Sequence, residues 1–167
     1  FCPAMDSHPT PILFPTKEEA AIRSRALEDA ANQRILVLDG AMGTMIQQHR
    51  LSEKDFRGET LIHHERPLKG NNDLLSLTKP DLIQQIHRQY LEAGADLIET
   101  NTSNSTRSSQ SAYRLEHLAY ELNAESARLA KICCIHAEQL TPEKPRFVVG
   151  VLGPTSRTAS ISPDVNN

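Results

Sequence analysis

The chain lacks the features of most exported, membrane-spanning and nucleic-acid-binding proteins. No apolar run approaches the roughly 20 residues that cross a bilayer, and no charged stretch followed by an apolar segment opens the sequence. Its three cysteines are Cys2 near the start and the adjacent pair Cys133-Cys134. They do not form the even, spaced set of a disulfide framework, so reduced thiols are expected. The 18 basic and 21 acidic residues are mixed along the chain, with a net charge of −3. No basic stripe exists to neutralise phosphates or an anionic membrane. These absences predict a cytoplasmic protein without nucleic-acid or membrane partners.

Common cofactor signatures are missing too. Gly40-x-x-Gly43 is too sparse for a dinucleotide fingerprint and lacks the Gly-Lys-Ser/Thr of a phosphate loop. His63-His64-Glu65 invites a zinc reading, but Leu68 stands where His-Glu-x-x-His needs its second ligand. Solvated loop histidines are the expectation there. Cys133 and Cys134 sit in a helical pattern, where neighbours point about 100° apart and cannot both face one metal. Cys133 is expected in the core and Cys134 at its boundary.

What is present is a soluble α/β pattern in 167 residues, 38% of them hydrophobic, enough for one domain or part of one. Pro3, Pro9, Pro11 and Pro15 punctuate a polar lead without periodicity, expected to be disordered. Thr16 and Glu19 form a capping-box pattern, and Ile22, Leu27 and Ala30 predict an amphipathic helix ending near Gln33. Ile35-Leu36-Val37-Leu38 reads as a strand buried on both faces, stopped by Asp39-Gly40. A short helix is expected over Thr44 to Arg50. Thr78 is expected to cap a helix with Pro80 in its first turn, an apolar face at Leu82, Ile83, Ile86, Tyr90 and Leu91, and a left-handed stop at Gly94. Asp96 to Thr100 is a second strand. A long helix follows, with apolar positions at Leu115, Leu118, Leu122, Leu129, Cys133, Ala137 and Leu140, bridged at Ser126 and closed by Pro142. Phe147 to Leu152 is the third strand. Strand and helix in alternation predict parallel βαβ units.

In such folds working residues gather beyond the carboxyl ends of the strands. Those ends are Asp39-Gly40-Ala41-Met42-Gly43-Thr44, Glu99-Thr100-Asn101-Thr102 and Gly153-Pro154-Thr155. Asp39 suits an ammonium group, while the bare Gly40 backbone lets a carboxylate approach N–H groups. An α-amino acid fits both. Asp39-Gly40 is equally readable as an ordinary strand-terminating turn, and Glu99 as half of a structural ion pair.

Several ordered segments resemble the homocysteine-binding domain of cobalamin-dependent methionine synthases. They are Arg34 to Gly40, Met42 to Gln47, Leu68 to Asp73, Ala93 to Asp96, Ile98 to Thr102 and Gly150 to Thr155, within a likeness that runs from about Asn32 to Asn167. The resemblance implies the first three or so βα units of a (β/α)8 TIM barrel, which needs about 250 residues in all. Residues 1–32 would then be a disordered lead and N-terminal helix, and residues 33–167 a partial barrel domain. It implies a methyltransferase in which zinc, held by three cysteine thiolates, activates the homocysteine thiol for attack on methylcobalamin. The product is methionine, and methyltetrahydrofolate restores the cobalamin.

The homocysteine-binding residues implied are Asp39, Gly40, Ala41, Met42, Glu99, Asn101 and Thr155. The family's zinc cysteines lie in Gly-Leu-Asn-Cys and Gly-Gly-Cys-Cys-Gly stretches that these residues do not contain. Hence no catalytic residue and no bound zinc or cobalamin is expected in this segment, which alone should be inactive. Ala41 replaces a family glycine and would be strained at positive φ, and Ser103 replaces an aromatic. Two alternatives remain: a cobalamin-independent homocysteine methyltransferase with a betaine or sulfonium donor, and a non-catalytic amino-acid-binding module.

Overall fold

The computed structural model describes residues 15–154. The expected disordered lead and Thr155 lie outside that range. Helix α1 spans Lys17–Gln33 and starts as its sequence requires. The Glu19 N–H donates to Thr16 Oγ1 at 3.2 Å, and the Thr16 N–H donates to the Glu19 carboxylate at 2.7 Å. The amphipathic expectation fails in one respect: α1 buries no residue, and Ile22 stays exposed. Arg23 anchors the helix by pairing with Glu138 at 2.8 Å and lying 5.1 Å from the Phe147 ring centroid.

Two regular strands follow, β1 (Leu97–Glu99) and β2 (Phe147–Val149), parallel with Leu97 opposite Phe147 and Glu99 opposite Val149. The segment at 35–39 runs parallel along the other side of β1 through a bridge between Leu38 and Leu97. Its ladder bonds are Leu97 N–H to Val37 O at 3.1 Å and Asp39 N–H to Leu97 O at 2.9 Å. The spatial order is therefore 35–39, β1, β2. The first segment is not buried on both faces as its composition suggested: Ile35 is 90% exposed and Val37 54%. An apolar run favours a buried strand, but burial needs layers on both sides, and the described residues supply a neighbour on one edge only.

Asp96 holds the amino ends of the strands together. Its buried carboxylate takes a two-pronged bond from Arg34, at 2.6 and 2.8 Å, and the Val37 N–H at 2.9 Å. Lys144, just before β2, approaches to 3.4 Å. The Arg34 hydrogen bonds hold the Asp96 carboxyl well below the ordinary aspartate range.

Helix α2 is Met42–Gln48, two residues ahead of the expected Thr44 start, and α3 is Glu53–Arg57. Ser52 and Asp55 form a capping box at α3, a pattern readable in the sequence once Asp is allowed in the third helical position. Thr78 does not cap a helix. It ends the short α4 (Leu75–Thr78), its hydroxyl donating back to the Leu74 carbonyl at 3.3 Å, and Lys79 precedes Pro80 at the start of α5 (Pro80–Glu92). Helix α5 stops in a left-handed glycine turn: Gly94 has φ +107°, with Ala95 N–H on Tyr90 O and Gly94 N–H on Leu91 O.

The long helix expected from Leu115 starts only at Ala119, with Leu115 and Leu118 ahead of it. A short α6 (Arg107–Gln110) and two single turns precede α7 (Ala119–Leu140), with Arg114 in the left-handed region at φ 55°. Helix α7 packs on α5 through Leu122, Leu129, Ala130 and Cys133. Cys134, expected at the boundary, is buried, whereas Leu140 is 72% exposed because it lies in the last turn. The core also takes Phe56, Leu68, Leu74 and Leu75 from the loop-rich stretch before α5.

Candidate functional site

A cavity of ≈ 290 Å³ opens at the carboxyl ends of the parallel segments, lined by Asp39 to Gly43, Glu99 to Asn101, Ser103 and Val151. It gathers Asp39, Gly40, Ala41 and Met42 from one stretch of chain with Glu99 and Asn101 from another. Thr155 lies outside the described residues. Gly43, Thr100, Ser103 and Val151 were not singled out as binding residues; the first three lie within two residues of one that was, so the strand-end rule slightly extended would have found them, whereas Val151 lies inside the expected third strand, four residues before Thr155.

Asp39 leaves its strand with both carboxylate oxygens 3.2 Å from the Glu99 N–H. Burial pushes its carboxyl up to about 6, the Glu99 hydrogen bond opposes the rise, and the Glu99 charge adds to it. Both side chains are half-buried. Neither has an ion-pair partner among the described residues. The structural ion pair that would have explained Glu99 is therefore not found there. Two carboxylates facing one cavity, with no cation paired to either among the described residues, repel each other, and a positive charge placed between them would relieve that repulsion.

The backbone of the first loop is shaped from behind. A Cβ on Gly40 would stand 3.1 Å from the Tyr90 ring, so glycine lets that ring close against the loop. The Tyr90 hydroxyl reaches the Ala41 carbonyl at 3.5 Å. Ala41 itself has φ −62°, a conformation open to any residue, so the strain that a glycine replacement raised does not arise. The floor between β1 and β2 is closed by threonines: Thr102 Oγ1 donates to Val151 O at 2.8 Å, and the Val151 N–H donates to Thr100 Oγ1 at 3.0 Å.

Asn101 reaches the cavity wall but turns its amide away from it. Its Nδ2 donates to Asn72 O at 2.9 Å and to Ser76 Oγ at 3.3 Å, while Ser126 donates to its carbonyl. Beside it, Asp73 accepts from the Asn104 N–H and the Ser105 hydroxyl, both at 2.7 Å, and Asn71 pairs amide to amide with Gln110 at 2.8 and 3.1 Å. These bonds tie the loop after β1 to the loop before α4. Gly153 completes the wall: a Cβ there would lie 1.9 Å from the Ser103 carbonyl oxygen, so only glycine allows this approach.

Residues 36–167 match the family described as homocysteine S-methyltransferase. The chain belongs to that family. It is also similar to the homocysteine methyltransferase MmuM from Escherichia coli in its metallated form, with 27% identity, a TM-score of 0.60 and coverage of 78% of this chain. The oxidized form of that enzyme matches at 27% identity with a TM-score of 0.59. The match takes in 41% and 40% of those two chains, so this chain spans about two fifths of their length. The mostly helical α/β structure, with its small parallel sheet, corresponds to part of that enzyme's fold.

The family implies a metal, and the described residues do not fit one. No group of three or more His, Cys, Asp or Glu among them is arranged to hold an ion. Cys133 and Cys134 are buried in α7, and burial pushes their thiols up, that of Cys134 to about 12. Such thiols are poor metal ligands at neutral pH. His63 is exposed, and His64 is no solvated loop residue: its Nε2 lies 2.7 Å from the Tyr113 carbonyl, where it fixes the loop.

Proposed function

We propose that this chain supplies the amino-acid-binding wall of a methionine synthase-type homocysteine S-methyltransferase. The observation that carries the reading is the cavity with two half-buried carboxylates, Asp39 and Glu99, and no cation of its own. The α-ammonium of homocysteine relieves the repulsion between them and draws the Asp39 proton off, since an adjacent positive charge favours the ionised carboxylate. The exposed backbone at Gly40, Ala41 and Met42 receives the substrate carboxylate, and Ser103 leaves room along the side wall. Asn101 acts by holding the loop rather than by touching substrate. Thr155, at the end of the third segment, belongs to the same rim in this reading.

The methionine synthase type rests on the ordered sequence likeness from Arg34 to Thr155. Zinc, methylcobalamin and methyltetrahydrofolate are assigned to parts of the protein other than the described residues, and the setting to the cytoplasm. No described helix is long and apolar enough to cross a membrane.

Titration calorimetry with L-homocysteine on the 167-residue chain tests the site. Saturable binding that falls at least tenfold in Asp39→Ala, with methanethiol giving no heat, is expected. Equal affinity in wild type and Asp39→Ala would overturn the assignment. The donor is tested on the full-length gene product: turnover with methylcobalamin supports the reading, whereas turnover confined to betaine or a methyl sulfonium overturns it.

A further inference from the structure

A second cavity, also ≈ 290 Å³, lies at the opposite end of the sheet, between the last turns of α5 and α7 and close to the start of β2. Its walls divide by chemistry. Leu91, Ala137 and Leu140 make an apolar side, while Arg88, Arg146 and His136 make a basic one, with Glu92 as the acidic group. Arg146 is the anomaly. It is only 4% exposed, yet no carboxylate lies within ion-pair distance of its guanidinium among the described residues. Two of its nitrogens are held by neutral oxygens, the Lys144 carbonyl and, at 3.3 Å, the Thr141 hydroxyl. Its Nε–H has no acceptor among the described residues. The nearby Glu138 carboxylate is turned to other partners through one oxygen, Oε1, which accepts the Arg146 backbone N–H at 2.7 Å and pairs with Arg23 at 2.8 Å.

A buried cation and a buried N–H are both costly unless paired. We propose that this cavity is a binding site for a small organic monocarboxylate, its head on Arg146 with help from Arg88, its hydrocarbon tail along Leu91, Ala137 and Leu140. Two arginines against one glutamate leave a single positive charge in the lining, which one carboxylate neutralises. The apolar side distinguishes such a ligand from inorganic anions, which would leave that wall wet. The site is independent of the homocysteine reading, which concerns the other end of the strands.

Calorimetry with sodium butyrate on the 167-residue chain, in a chloride buffer, provides the test. Saturable binding, weaker for acetate and for inorganic phosphate and absent for butylamine, is expected. Arg146→Gln should weaken butyrate at least tenfold, as should Ala137→Phe, which fills the cavity from the half-exposed α7 side and keeps the test decisive if the arginine variant misfolds. Asp39→Asn should leave butyrate affinity unchanged. No butyrate binding, undiminished binding in folded Ala137→Phe, tighter binding of phosphate, or loss of binding in Asp39→Asn would each overturn the proposal.

Discussion

Asp39 shows what a half-buried carboxylate costs the fold. Its folded-state carboxyl is raised to about 6 from an ordinary 3.8, so the folded chain binds this proton more tightly than the unfolded chain does. The associated stability is complete below the unfolded value and is lost as pH rises through about 6. Asp39→Asn should therefore raise the melting temperature at pH 7.5, with the gain vanishing below about pH 4, as read by thermal melts across that range. A variant less stable than wild type at pH 7.5 would contradict this. His87 carries the opposite linkage. It is buried on α5 with both ring nitrogens unpartnered among the described residues, and burial lowers it from 6.5 to about 4. The unfolded chain takes up that proton first, so stability drains as pH falls from about 6.5 to 4, by about 3 kcal/mol in all. His87→Leu should flatten that acid limb of the melting profile, and an unchanged slope would count against it.

At the scale of elements, the Asp96 carboxylate decides whether the 35–39 segment stays on the sheet. That segment has few ladder bonds, and Asp96 reaches the Val37 N–H within it and the Arg34 guanidinium just before it. Asp96→Asn should cost about 2 kcal/mol, the range of hydrogen bonds to a charged group. Hydrogen exchange at Leu97 and Asp39, whose amides bond across the seam between that segment and β1, should quicken more than exchange within α7. Uniform change across both would mean that Asp96 acts on global stability alone. The helices themselves were largely legible. The Thr16–Glu19 capping box, Pro80 in the first turn of α5 and Gly94 at its end act within a few residues, and each stands where the pattern put it. The interruption at Arg114 was not legible, because the apolar spacing from Leu115 onward reads as one helix whichever way the preceding chain turns. Phe56, Leu68, Leu74 and Leu75 were missed as core for a related reason: they lie in short turns that have no period.

For the molecule as a whole, the apolar segment at 35–38 leaves Ile35, Val37 and Leu38 exposed beside a small parallel sheet. Exposed apolar strands promote self-association. The 167-residue chain should show concentration-dependent association in sedimentation velocity, reduced by Val37→Lys; an ideal monomer at high concentration would refute this. Residue order alone was enough for the alternation of strand and helix, the acidic and glycine-bearing strand ends, and the family likeness, because caps, turns and apolar periods are local properties of the chain. Long-range packing decided the rest. It set the neighbours of β1 on both edges, turned the Asn101 amide inward, closed Gly153 on Ser103 and left Asp39 and Glu99 without a paired cation among the described residues. Burial and counter-charge depend on segments sixty residues apart in sequence, as Asp39 and Glu99 are, and only their meeting in space creates either.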